Sequence, residues 1–469
     1  MNKCVPLLLL AGWLGLSSPA DAARRSNTSI ESNRAAADGF WTDNAAAAYA
    51  SGKGTQADPY IISSAEQLAL LALEVDRGQT TAGSYYRLSA DIDLDGHYWY
   101  PIGADKAKPF EGHFDGMGHH IDNLHIVQTG SLLNTGFFSA IAEGATVRNL
   151  VIAGGSVEGD QLTAVLVGYN QGTIEDCTIY ASCSSYLYAS GIAATNHGIV
   201  RRCINHGTMK AMGANGMSAA GIVASNYGFV YDCANYGSVS ADAQGAGGIV
   251  ALAEKGMIAR CYNRGEVTSV LQVGGIAATV LGRGGDVTIT ACYNASNISG
   301  GYATGQIFGL AQFLYPNKFT CDSLYCDGTL SSLPAYGYTN PGVGSFSMGT
   351  HIDELTTGEM TAPAFVDLLN AANKDARPWV ADTEGYNGGY PLLAFQQAGY
   401  NAISKTLSQS VKVSVEGRTI KVEGATRVVV ATVGGRVVFN GPANGLQHKP
   451  FTPGLYLVKA GGKATKVVV

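Results

Sequence analysis

Glycoside cleavage needs two carboxyl groups about 5–9.5 Å apart. Glu175, Asp176 and Asp232 are the acids whose places in a repeating pattern bring them nearest one another. The same place in other copies holds Arg201-Arg202 and Ala259-Arg260, so a solvated face of mixed charge explains them better than a catalytic pair. Asp91-Ile92-Asp93-Leu94-Asp95-Gly96 imitates the opening of a calcium loop. Such a loop ends on Glu at its twelfth place, which here is Ile102, and the alternation of Ile92 and Leu94 suits a strand with Asp91 and Asp93 outward. The sequence has no His-Glu-x-x-His, no Gly-x-Ser-x-Gly and no P-loop. Gly282-Arg283-Gly284-Gly285 has no strand-then-helix context and reads as a loop insertion. No catalytic residue, metal or cofactor is assigned.

The remaining chemistry is that of recognition. At one recurrent turn the middle residue runs Gln171, His197, Tyr227, with Lys255 just before Gly256; at a second it runs His206, Tyr236, Arg264. Aromatic and arginine side chains are favoured at binding surfaces. Aromatic faces stack on sugars or pack on a partner chain, and Arg adds charge-assisted hydrogen bonds. His197, His206, Tyr227, Tyr236 and Arg264 are therefore the candidate ligand-binding residues. The competing explanation is that loops tolerate any polar residue. Neither histidine has an acid at a spacing that would make it a base or a ligand.

What positions these residues is a repeat. Copies begin at Ala164-Val165-Leu166-Val167, Ser190-Gly191-Ile192-Ala193, Ala220-Gly221-Ile222-Val223, Gly247-Gly248-Ile249-Val250 and Gly274-Gly275-Ile276-Ala277. A period of about 26–31 residues is in the range of solenoids. One copy cannot bury its apolar face alone, so copies must stack. Within a copy, three short apolar stretches alternate with Asn-x-Gly turns, and Asn and Gly tolerate positive φ. Three strands and three corners make one coil of a parallel β-helix, which the crossover rule makes right-handed. Cys177, Cys203, Cys233, Cys261 and Cys292 recur at one place in it. They read as a column of buried thiols rather than as disulfides or a metal site. Cys321 and Cys326 stand apart and could pair.

The chain has 469 residues, 14% of them charged, with 61 Gly and a formal net charge of -6. It is long enough for two or three domains, and the balance offers no footprint for nucleic acid or anionic lipid. Residues 1–22 read as a signal peptide: Lys3, an apolar run from Val5 to Leu16, and Ala20-Asp21-Ala22 as the cleavage site. Export follows, with no membrane span. Residues 23–40 form a polar leader. Ser63 and Glu66 form a capping box before Leu68, Leu71, Ala72 and Val75, which gives a short helix to cap the open end of the solenoid. The solenoid occupies 41–396, with a second helix at Ala362 to Leu369 and a linker at 397–410. From Val411 the apolar residues alternate strictly, and about seven short strands make a small β-sandwich over 411–469. The fold class is all-β.

The copies Ala220-Gly221-Ile222-Val223…Asn226-Tyr227-Gly228…Cys233-Ala234-Asn235-Tyr236-Gly237 and Gly247-Gly248-Ile249-Val250…Cys261-Tyr262-Asn263-Arg264-Gly265 resemble the GLUG motif. That repeat occurs in large bacterial surface and secreted proteins and beside some immunoglobulin-cleaving metallopeptidases. Ala193-Ala194, Ala251 and Ala277-Ala278 replace its usual Val-Gly. Gly434-Gly435-Arg436-Val437-Val438, Pro453-Gly454-Leu455-Tyr456-Leu457-Val458-Lys459 and Lys466-Val467-Val468-Val469 resemble the C-terminal sorting domain of type IX secretion substrates in Bacteroidota. The resemblances imply a Gram-negative outer surface or extracellular location and contact with that secretion machinery. The expected function is a non-catalytic, adhesin-like scaffold for a glycan or a host or matrix protein. A structural spacer is the alternative, and a polysaccharide-active enzyme a weaker one.

Overall fold

A computed structural model describes residues 39–397 apart from 95–96, 105–106, 129–133, 215–216, 313–315, 341–344, 350 and 373–376. It describes 412–468 apart from 417–418, 424–426, 433–436, 443–450, 452–454 and 461–462. The expected signal peptide, residues 23–38 of the leader and residues 398–410 of the linker lie outside these. The chain divides into one compact unit ending at Pro391 and a second from Leu392.

The first unit is a parallel β-solenoid of about ten turns. A central coil shows the plan: β1 (Val223–Asn226), β2 (Phe229–Tyr231), β3 (Ala234–Asn235), β4 (Val239–Ala241) and β5 (Gly245–Gly247). The coil thus has five short segments where the sequence suggested three. β2 and β3 belong to one 19-stranded sheet, β1 to an eight-stranded sheet, and β4 and β5 to two seven-stranded sheets. Pairing is parallel and in register, with Val223 opposite Ala193 below and Val250 above. The repeating pattern runs on past Gly309, since Lys318–Asp327 pairs in parallel with Val287–Asn294 below and with Ile352–Leu355 above.

The expected positive φ at the Asn-x-Gly corners is not found. It lies between β2 and β3 and at the equivalent places, at Asp176, Arg202, Asp232 and Arg260, with φ of 55°, 50°, 56° and 51°. The corner asparagines instead turn inward and chain their amides across coils. Asn170 donates to Asn196 and Asn196 to Asn226, both at 2.7 Å. A second ladder runs Asn205, Asn235, Asn263, Asn294 at 2.8, 2.8 and 2.9 Å. Buried amides need partners, and identical residues in register supply them. The second ladder also explains the glycine in Gly-Gly-Ile: a Cβ on Gly248 would lie 2.4 Å from Asn263 Cγ and 2.1 Å from the Gly275 carbonyl oxygen.

The five recurrent cysteines are buried free thiols in one core with Val147, Val200, Val230 and Ile258. Cys321 and Cys326 are also free and buried, as is Cys183. Cys321 and Cys326 do not pair because they occupy different columns, opposite Ile289 and Asn294. Burial pushes the Cys177, Cys233 and Cys292 thiols well up and Cys183 and Cys321 to about 12.

At the N-terminal end α1 (Ala65–Asp76) buries Leu68, Leu71, Ala72 and Val75 in that core beside Ile62, Leu88 and Ile92. Its cap is Ser64 rather than Ser63: Ser64 accepts from the Gln67 amide, and the Gln67 side chain reaches back to the Ser63 amide at 2.8 Å. The reciprocal bond from the Gln67 side chain goes to the residue before the cap, so only half of a capping box forms. Asp91 and Asp93 belong to a strand region, with Ile92 buried and paired to Ile121. Toward the C-terminus the expected helix is present as α3 (Pro363–Ala371), preceded by a single turn, α2 (Thr357–Met360). Phe365 of α3 packs on Tyr293 and Tyr325, and Trp379 on Tyr262 and Tyr293. Phe365 and Trp379 therefore cover the Tyr262–Tyr293–Tyr325 column, whose members pair in register.

Within residues 411–469 of the second unit six strands are described. Lys412–Glu416 pairs with Thr419–Glu423, and a four-stranded antiparallel sheet spans Arg427–Val468. Ile420 and Val422 of the first share a cluster with Val428, Val430, Tyr456 and Val458 of the second.

Candidate functional site

The Asn ladders fix where the corner residues go. Each corner residue follows an inward asparagine, so it faces outward, and coil register brings its equivalents face to face. His206 stacks on Tyr180 at 4.6 Å and on Tyr236 at 4.9 Å, the planes 5° and 8° apart. His197 stacks on Tyr227 at 4.7 Å and 2°, with Tyr169 tilted against its other side at 5.3 Å. The five candidates thus form two ribbons, at opposite ends of β2–β3 and its equivalents. Eight residues lie between Tyr227 and Tyr236: β2, the left-handed Asp232 and β3 carry the chain from one ribbon to the other.

Stacking has a cost for recognition. A ring sandwiched between two others offers only its edge. In the His206 ribbon the open ring face belongs to Tyr180, which is 50% exposed and has Ala153 in the coil below. Sequence reasoning did not select Tyr180, although its place before Ala181 matches His206 before Gly207. His206 itself is half-buried, and burial pulls its imidazole down to about 4.

Arg264 continues the His206 ribbon without stacking on Tyr236. Its guanidinium lies 4.1 Å from the centroid of Tyr390, a residue the sequence did not single out. Tyr236 instead bonds Tyr262 hydroxyl to hydroxyl at 2.5 Å. The Tyr390 hydroxyl donates to the buried Asp327 at 2.5 Å, and so does Thr357 at 2.7 Å. Burial works against the Asp327 carboxylate, but these donors and the Thr329 and Leu330 amides outweigh it and hold the carboxyl below its usual range.

In the other ribbon the residue after Tyr227 is Glu254, not Lys255. Both amides reach the Asn226 carbonyl, at 2.9 and 3.2 Å, because this coil carries an extra residue. Glu254 is fully buried and paired with Arg283. Arg283 arrives on the Gly282–Gly285 insertion, where a Cβ on Gly284 would lie 2.9 Å from the Tyr227 ring. The insertion therefore closes the far face of Tyr227.

Between the ribbons the outer face is laced with charge. Arg202 grips Asp176 with two bonds of 2.7 Å and reaches Glu175 at 3.0 Å, and Arg260 grips Asp232 at 2.5 and 2.9 Å. Arg148 pairs with Asp115. Glu175, Asp176 and Asp232 are thus tied to arginines, with Arg202 in the coil between Asp176 and Asp232. In the neighbouring column Ile199, Phe229 and Met257 make an apolar stripe, Phe229 being 48% exposed. Among the described residues no group of three or more His, Cys, Asp or Glu is placed to hold a metal ion, and no helix is long and apolar enough to cross a membrane.

No family model matches the chain. Over 156 residues it is 33% identical to "Halomucin" of Haloquadratum walsbyi, which is 31% of this chain and 2% of that protein. Over 141 residues it is 36% identical to a "Putative Gly-rich membrane protein" of Evansella cellulosilytica, which is 28% of this chain and 15% of that one. The chain therefore spans a small part of both relatives. Among solved structures it is similar to a "putative immunoglobulin A1 protease" from Bacteroides ovatus, with 20% identity, a TM-score of 0.46, and coverage of 74% of this chain and 95% of the other.

Proposed function

We propose that this protein is an exported, adhesin-like surface protein whose solenoid is a non-catalytic scaffold for a glycan or a host or matrix protein. The observation that carries this is the Tyr180–His206–Tyr236 stack, a continuous aromatic ribbon with one open face. Aromatic faces and edges suit sugar rings and polypeptide alike. The name of the halomucin relative and the membrane description of the other are in keeping with a surface role. The engagement of Glu175, Asp176 and Asp232 with arginines speaks against a glycosidic pair there. The GLUG-like repeat and a sorting role for the C-terminal strands are part of this reading, and with them a Gram-negative outer surface. A glycan array and a matrix-protein panel probed with the purified chain test it: specific binding is expected, and product release from a glycan would replace it with an enzyme.

The spacer reading has one observation in its favour. Rings stacked on each other satisfy each other and stiffen the solenoid without any ligand. A clean screen on both panels would select it.

A further inference from the structure

We propose that the pocket beside Arg264 binds the carboxylate of an acidic sugar residue. The inference rests on the binding role just proposed and assigns a ligand class to one end of the second ribbon. Arg148, Arg201, Arg202, Arg260 and Arg283 each pair with a carboxylate one coil away. Arg264 is the exception in this stretch. Among the described residues no carboxylate lies within ion-pair distance of it. It borders instead a pocket of about 330 Å³ lined by Glu266, Ser296, Asn297, Leu330 and Tyr390.

The guanidinium is fixed before any ligand arrives. Its Cζ sits over the Tyr390 ring, the Ala295 carbonyl accepts from Nη1 at 2.5 Å, and a Cβ on Gly388 would stand 3.2 Å from Nη2. Tyr390 is itself held by Asp327. Arg has five N–H donors, so the carbonyl bond leaves most of them for a ligand. Fixing them beforehand removes much of the ordering cost of binding. A planar fork of this kind is matched by a carboxylate with two parallel hydrogen bonds.

The rest of the lining narrows the class. Glu266 is exposed at the rim, two residues from Arg264, and its carboxylate accepts from hydroxyls, while its charge confines the ligand's carboxylate to the Arg264 side. Asn297, also exposed, offers an amide that both donates and accepts. Leu330, 38% exposed, supplies an apolar wall for a ring face or an acetyl methyl. The volume falls at the low end of the range of about 300–1,000 Å³ for small-molecule pockets, which suits one ring rather than a chain. One carboxylate, several hydroxyls and one ring describe a uronic or sialic acid.

The test uses the full chain with glucuronate and N-acetylneuraminate, free and at the end of an oligosaccharide, against glucose and an acidic peptide, by saturation-transfer NMR and calorimetry. Binding of an acidic sugar at least tenfold tighter than of glucose is expected. Tighter binding of the oligosaccharide than of the free sugar would identify a glycan end as the source; equal binding would identify the free sugar. Arg264→Gln should abolish the preference. Leu330→Asp, which leaves the Arg264–Tyr390 contact alone, should weaken acidic sugars at least tenfold with an unchanged melting curve. Equal binding of glucose, preference for the peptide, or indifference to both substitutions would overturn the assignment. Binding of a neutral glycan that is lost in Tyr180→Ala would then leave the general binding role standing without this pocket.

Discussion

The His197 imidazole is stacked on the Tyr227 ring, 4.7 Å away, with 2° between the two planes. The pair belongs to adjacent coils and exists because Asn196 and Asn226, one residue earlier, are locked amide to amide inside. A double-mutant cycle of His197→Ala and Tyr227→Ala should therefore show a coupling of about 0.5–1.5 kcal/mol, the range for aromatic pairs. Denaturant unfolding of the four proteins measures it. Additive losses would mean that the rings do not support each other in solution.

His206 makes stability depend on pH. Its unfolded value is about 6.5 and burial lowers the folded one to about 4. Protonation therefore favours the unfolded chain. The contribution is intact above about pH 6.5 and is lost as pH falls toward 4, by roughly 3 kcal/mol at most. His206→Phe keeps the stack and removes the proton site. Its unfolding free energy should fall less steeply than that of the natural chain across that window. Identical slopes would place the imidazole in a more solvated setting.

Gly248 and Asn263 should be energetically coupled. Gly248→Ala drives a methyl into the Asn263 amide and the Gly275 carbonyl, at a cost of about 1–3 kcal/mol. Asn263→Ala interrupts the ladder between Asn235 and Asn294 and costs about 1–3 kcal/mol by stranding buried amide groups. The double variant should lose less than the sum, since the truncated side chain makes room for the methyl. Strict additivity in urea titrations would sever the two parts of the motif.

The thiols give a direct test of the packed core. Cys177, Cys183, Cys203, Cys233, Cys261, Cys292, Cys321 and Cys326 are all buried and free. A thiol reagent should leave them unlabelled in the native chain and label all of them in denaturant. Rapid native labelling of the five-residue column would contradict a closed core.

The repeat period made the stacking of coils legible, and the recurrence of Cys at one place made the thiol column legible. The helix over the N-terminal end and the alternating strands after Val411 could be read as well. Other features were hidden because they depend on contacts rather than composition. A charged residue in left-handed backbone, such as Arg202 or Asp232, carries no local signal. The Asn-x-Gly motif suggested a turn conformation, whereas its asparagine serves the interior ladder and its glycine lets coils approach. Tyr390 meets Arg264 only through the returning 356–391 segment, and Glu254 displaces Lys255 through one extra residue in its coil. The ring columns were correctly aligned, yet their mutual stacking, and with it the choice of Tyr180 as the open face, follows only from coil spacing.

The most direct measurement is the affinity of the purified chain for whichever glycan or matrix protein it retains on a panel, compared with that of Tyr180→Ala. Tyr180 is exposed and ends its stack, so its removal should cost no more than the about 0.5–1.5 kcal/mol of one aromatic pair and leave the chain folded. If the ribbon is a binding surface, affinity should fall at least tenfold. No retained ligand, or an unchanged affinity in the folded variant, would contradict it.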